Sequence, residues 1–147
     1  METFTKRYSI KDRQFWTIVI SLGGASVFVF AAMYSVQPLL PFFTEQFQIS
    51  VSTASLTMSV TTLSVIIGLI VLGFLSDRYG RVPFIRFSII LTIVPFLLMP
   101  LTDSFSMIIL LRFIQGFAIA GVPAAALAYI SEEINQQSMG FATALYI

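Results

Sequence analysis

Apolar residues along this chain gather into four long blocks instead of alternating with polar ones. Residues 15–40 and 51–75 carry no charged side chain, residues 82–101 carry only Arg86, and residues 104–130 only Arg112. About 20 apolar residues, rising about 1.5 Å each in a helix, cross a hydrocarbon core of about 30 Å. Each block therefore predicts a transmembrane helix, and an apolar run from about residue 139 predicts the start of a fifth. The punctuation fits these blocks. Pro38 and Pro41 are expected to close the first helix, because proline cannot extend the hydrogen-bond ladder. Ser50 and Ser52 are candidate N-caps for the second. Gly80 and Pro83 mark a tight turn into the third, Pro100, Thr102 and Asp103 the next connection, and Glu132 and Glu133 with Asn135, Gln136 and Gln137 the last. Residues 1–14 read as a polar lead, residues 45–48 as a short external connection, and residues 15–147 as a single membrane module. The first block is far longer than the roughly 7–15-residue core of a cleaved signal peptide.

Composition sharpens this picture. The chain of 147 residues is 57% hydrophobic and 10% charged, with a mean hydropathy of +0.92. Soluble domains run near 45–50% apolar and about 25% charged. A soluble enzyme domain, a nucleic-acid binder and a disordered segment are thereby excluded. With no cysteine and no histidine, disulfides, thiolate chemistry, the usual zinc ligand and the usual general base are all missing. No metal, cofactor or enzymatic activity is expected.

The net charge of +1 hides an uneven distribution. Lys6, Arg7, Lys11 and Arg13 precede the first block, and Arg78, Arg81 and Arg86 surround the second connection. The first and third connections hold only Glu45 and Asp103. Lys and Arg collect on the cytoplasmic side, which puts the N-terminus and the Arg78–Arg81 bend inside, in a cell (inner or plasma) membrane. The Glu132–Glu133 connection falls on the same side without basic residues.

Polar residues within the blocks are the candidates for chemistry. Trp16 lies at the cytoplasmic boundary, where an indole ring anchors. Gly116, Ala120, Ala124 and Ala128 form a row of small residues that lets membrane helices approach closely. Pro95 and Pro123 are expected to bend the third and fourth helices. Thr53, Thr57, Thr61 and Ser64 share one face of the second helix; they either line a wet cavity or bond back to their own carbonyls. Arg112 is the sharpest residue, since a charge at this depth is expensive. It either snorkels outwards or is held by Gln37, Tyr34, a hydroxyl of the second helix, or a carboxylate supplied from elsewhere.

Between the second and third blocks the chain reads Gly73-Phe-Leu-Ser-Asp77-Arg78-Tyr-Gly80-Arg81-Val82. This resembles the signature loop G-x-L-x-D-R-x-G-R-[RK] of the major facilitator superfamily (MFS), departing from it at Val82. Arg112-Phe-Ile-Gln115-Gly116 resembles the R-x-x-Q-G motif of the same superfamily. Tyr34-Ser-Val-Gln37-Pro38 and Tyr129-Ile-Ser-Glu132-Glu133 are similar to its drug:proton antiporter and YnfM-type branch. The resemblance implies an all-α polytopic fold: four transmembrane helices plus the start of a fifth, from the N-terminal six-helix half. It also implies transport of a small solute, proton-coupled and possibly outward. Gly73, Asp77, Arg78, Gly80 and Arg81 would then form a conformational latch, with Gly73 allowing a close helix approach and Asp77 holding the two halves together. Arg112, Gln115, Gly116, Tyr34 and Gln37 would be candidates for proton coupling or substrate contact.

Transporters of this kind pair two six-helix halves around the substrate path. The chain thus reads as a truncated front piece, with the lipid bilayer, a small-molecule substrate and the missing C-terminal helices or another transporter chain as partners. Two other readings stay open. One is a small oligomeric four-helix exporter, although such exporters use a carboxylate in the first span and none is present. The other is a non-transporting membrane interaction remnant.

Overall fold

The computed structural model describes residues 7–147; Lys6 and the rest of residues 1–6 lie outside the described residues. Among the described residues seven α-helices follow one another: α1 (Arg13–Tyr34), α2 (Leu40–Phe47), α3 (Val51–Tyr79), α4 (Arg81–Leu98), α5 (Phe105–Ile119), α6 (Gly121–Glu133) and α7 (Gln136–Tyr146). Short 3-10 turns precede α2 (Gln37–Leu39) and follow α4 (Met99–Leu101). Four spans among the described residues are long and apolar enough to cross a membrane: Arg13–Phe47, Val51–Tyr79, Arg81–Leu101 and Phe105–Glu133. Large apolar side chains such as Ile20, Val27, Phe30, Ile70, Phe74, Phe87 and Ile90 stand exposed on the first three. A soluble monomer could not tolerate that much uncovered apolar surface; a membrane protein can.

The first span departs from its sequence reading. α1 ends at Tyr34 instead of continuing to Leu40, and Pro38 and Pro41 sit in the first turns of the elements that follow. Proline suits that position because the first helical N–H groups have no intrahelical partner to lose. Here, then, the prolines start new helical turns instead of ending the first helix. Glu45 consequently belongs to α2, and the connection shrinks to Gln48–Ser50, with Gln48 in the left-handed conformation (φ 51°). Ser50 caps α3, accepting from Thr53 N–H at 3.1 Å. The helix of the fourth span is interrupted at Ala120, between α5 and α6, where the backbone keeps helical dihedrals (φ -61°, ψ -24°). Pro123 lies one turn beyond and offers no N–H to Ile119.

The α5–α6 span is the most buried and packs chiefly on α3 and α4. The buried face of α3 is Ala54, Thr57, Thr61, Ser64, Gly68, Leu72 and Ser76, a stripe of small residues at helical spacing. It lets backbones touch: a Cβ on Gly116 would lie 2.5 Å from the Thr61 carbonyl oxygen, and one on Gly68 would lie 2.7 Å from Ala120 Cβ. Without water to drive helices together, this close packing supplies the association energy.

Two apolar clusters fill the ends of the bundle. One gathers Phe15, Val19, Leu72, Phe84, Ile130 and Tyr146; the other gathers Val36, Phe43, Ala54 and Ile108. The lead is tied to the first of these ends. Tyr8 N–H donates to the Glu133 carbonyl at 2.7 Å and Asn135 N–H to the Tyr8 carbonyl at 3.0 Å, forming a parallel bridge between Tyr8 and Ile134. The Trp16 indole N–H donates to the Ile10 carbonyl at 3.0 Å, and its ring meets Phe15 and Phe141 edge-on.

Candidate functional site: a buried arginine layer and an ion-pair bend

Between the two apolar clusters lies a polar layer. Thr57, Thr61, Ser64, Thr92, Arg112 and Gln115 are each at most 1% exposed. The α3 hydroxyls are consumed within the protein: Thr57 donates to the Ala54 carbonyl at 2.8 Å, Thr61 to Thr57 at 2.7 Å, and Ser64 across the interface to the Phe113 carbonyl. Of the two readings of the hydroxyl stripe, the structure favours back-bonding and helix contact.

Arg112 is wholly buried, which excludes outward snorkelling. Its Nη1 donates to the Ala32 carbonyl at 3.2 Å and to Gln115 Oε1 at 2.6 Å; its Nη2 donates to the Met33 carbonyl at 2.8 Å. Tyr34 and Gln37 make no hydrogen bond to it. Both are exposed, and Tyr34 stacks on Phe30. The physical reason is the early end of α1. The last carbonyls of a helix lack intrahelical N–H donors and carry the negative end of its dipole. A planar guanidinium with several fixed donors satisfies two of them at once. Gln115 extends the layer by donating Nε2–H to the Thr92 carbonyl at 3.4 Å. α1, α4 and α5 are thus joined through one charged group, although among the described residues Arg112 Nε has no partner. Gly116, one residue on, provides the contact with Thr61 and offers no polar group of its own. Gln115 also borders a cavity of about 220 Å³ between α1 and α4, which Phe28 and Phe96 flank.

The second constellation sits at the end of the bundle where the lead is bound. α3 continues to Tyr79, so Asp77 and Arg78 are helical, and Gly80 turns the chain with φ 90° and ψ 146°. Only glycine adopts that conformation without strain. The turn brings Arg81 back over α3, where Nη1 pairs with Asp77 and donates to Ser76 Oγ at 2.8 Å. Arg81 also reaches Glu132 at the end of α6, at 2.9 Å from Nη2 and 3.1 Å from Nε. Glu132, which reads in the sequence as part of a connection, carries no local signal of this partnership, because Arg81 lies 51 residues away. Arg78 points away, over the Tyr79 ring at 5.9 Å. Among the described residues a Cβ on Gly73 would meet nothing within 4 Å. With Asp77, Arg81, Ala124 and Ala128, Gly73 borders an open groove. The glycine of α3 that does permit close approach is Gly68, pressed against α5.

The family model described as Major Facilitator Superfamily matches residues 22–147. The chain is 40% identical over 133 residues to an uncharacterized MFS-type transporter, YybF, of Bacillus subtilis (strain 168), covering 90% of this chain and 33% of that protein. It is 34% identical over 134 residues to the inner membrane transport protein YnfM of Escherichia coli (strain K12), covering 91% and 32%. An uncharacterized transporter of Buchnera aphidicola subsp. Schizaphis graminum is 35% identical over 135 residues, covering 92% and 33%. The chain spans about a third of the length of these curated relatives. No solved structure matches it.

Proposed function

We propose, since the chain belongs to the major facilitator superfamily, that it supplies the first spans of a secondary transporter that moves a small solute across a membrane. The observation that carries this reading is Arg112. A permanent charge sits at 0% exposure in a span, clamped onto the end of α1 and linked through Gln115 to α4. Intramembrane cations of this kind mark solute or proton pathways. A guanidinium does not release its own proton. Its proposed part is to hold a fixed positive charge and offer Nε–H to an acceptor on the solute or on a proton-carrying group. Gln115 is the polar wall of the adjoining cavity. Gly116, Tyr34 and Gln37 rank below it, the first because it packs and the other two because neither bonds Arg112.

At the other constellation, the proposed role of Asp77 and Arg81, with Arg78 and Gly80, is a latch that closes against the second half of a complete transporter. The open groove beside Gly73 and Ala124 is consistent with a further element docking there. The proposed orientation places this end in the cytoplasm, because Arg7, Lys11, Arg13, Arg78 and Arg81 all gather there and positive charge resists translocation. Export and proton coupling are the finer parts of the proposal, supported by the likeness to the antiporter branch.

The test is a vesicle assay under an imposed proton gradient, using one sugar, one lipophilic cation and one organic acid as probe solutes. The samples are the chain alone and a chimaera in which it replaces the matching third of a full-length relative. Gradient-driven movement by the chimaera, lost in its Arg112→Ala form, is expected. Movement by the chain alone would favour a small oligomeric exporter. A chimaera that transports equally well with Arg112→Ala would remove Arg112 from the mechanism.

A further inference from the structure

Helix α6 ends without a cap of its own. The last carbonyls of a helix have no intrahelical donor, and a common remedy is a left-handed residue that folds the chain back onto them. None follows here. Ile134 (φ -104°, ψ 141°) and Asn135 (φ -69°, ψ 153°) are both extended, and α7 begins at the next residue. The lead supplies what this connection lacks. Tyr8 N–H donates to the carbonyl of Glu133, the last residue of α6, and the Tyr8 carbonyl accepts from Asn135 N–H, the N-cap of α7. Ile10 N–H donates to Ser138 Oγ in the first turn of α7 at 3.4 Å. The Tyr8 ring packs on the apolar cluster at this end, and Ile134 is fully buried. The residue before Glu133 is Glu132, whose Oε1 receives both Nη2 and Nε of Arg81. One carboxylate oxygen can serve two fixed guanidinium donors only while its own backbone holds still. Helix ends fray, so in a last turn that stillness depends on the cap.

We propose that the lead is a positioning clip for the ion-pair bend. Tyr8 caps α6, the cap keeps Glu132 within reach of Arg81, and the Tyr8–Ile134 bridge and the Arg81–Glu132 pair stabilise each other. No described residue of the lead hydrogen-bonds Arg81, so the coupling runs through the last turn of α6. Such coupling is reciprocal: opening the bridge loosens the pair, and breaking the pair loosens the bridge. Every group involved lies among the described residues, and no further span is needed to form the contact. The inference deepens the latch reading, and only its meaning for transport rests on that reading, a closed lead favouring a closed latch. The coupling itself is measured without transport, so either can fail alone.

The test follows amide hydrogen exchange at Tyr8 and Asn135 in the whole chain in detergent micelles. Both amides donate in the bridge, so their exchange reports its opening. Glu132→Gln and Arg81→Gln leave the lead itself unaltered. Each is expected to speed exchange at both amides about two- to fivefold, the range set by an exposed ion pair. Arg78→Gln removes a charge from the same bend but no ion pair among the described residues, and should leave both amides at the parent rate. High salt screens exposed pairs; it should speed exchange in the parent and add nothing in Glu132→Gln. In the reverse direction, Tyr8→Pro should speed exchange of the Ile134 amide, which closes α6 onto the Ile130 carbonyl, and Arg81→Gln should then add less than it does in the parent. If Tyr8→Pro disturbs the fold, the side-chain variants and the salt series still decide the matter. Parent-rate exchange in both Glu132→Gln and Arg81→Gln, equal acceleration in Arg78→Gln, or a salt effect that persists in Glu132→Gln would overturn the coupling.

Discussion

Arg112 shows how a single side chain organises several helices. Its acceptors are backbone carbonyls, and every residue has one, so nothing in the sequence could single out Ala32 and Met33. Arg112→Lys keeps the charge but replaces the planar fork with a compact ammonium that cannot span the same set of acceptors. The expected result is faster amide exchange around Val36–Leu40 in detergent, with insertion unchanged; protection equal to the parent would show that charge alone suffices. The glycines give a second residue-level contrast. Gly116→Ala would drive a Cβ against the Thr61 backbone, which cannot yield as a flexible side chain can. It should destabilise the chain by about 1–3 kcal/mol in thermal or denaturant unfolding. Gly73→Ala meets open space and should shift stability by less than about 0.5 kcal/mol. If the two variants proved equally stable, the α3–α5 contact would be looser than described.

Among the elements, the four spans were legible because a membrane helix announces itself by length and absence of charge. Ser50, Gly80 and Pro83 were legible as punctuation because each acts through its own backbone. The end of α1 was not legible. Whether Pro38 and Pro41 finish one helix or begin another depends on where the free carbonyls of α1 find donors, and that donor lies on α5. The lead was equally opaque, since its partner Ile134 is far away in the chain. Tyr8→Pro deletes the N–H that bonds Glu133, a loss of about 1 kcal/mol. Trypsin is then expected to cut sooner after Lys11, which is exposed. An unchanged cleavage rate would mean that the bridge does not hold the lead.

Across the whole molecule, the ion-pair bend joins α3, α4 and α6 at one end. Asp77 is 62% and Glu132 52% exposed at the side chain, so water and salt screen the pairs, and each contributes no more than about 1 kcal/mol. Arg81→Gln should therefore barely change unfolding, and the small difference should vanish in high salt. The same change, or Asp77→Asn, in a full-length relative is expected to slow transport while leaving insertion normal. Full transport in Asp77→Asn would remove the latch. The proposed topology is checked by tags on residue 1 and in the 77–81 bend: both should report one face of the membrane, and opposite faces would refute it.

Hydropathy and two short motifs were enough to read off how many times the chain crosses a bilayer, which family it resembles and which residues carry charge into the membrane. These are properties of consecutive residues, and transfer into lipid is close to additive along a helix. Packing had to choose the partners. Gly68 became a contact point with α5, Glu132 became the second acid on Arg81, and two carbonyls of α1 received Arg112. Each of those choices depends on which faces meet once the helices are side by side, and facing is a relation between distant segments that no local pattern encodes.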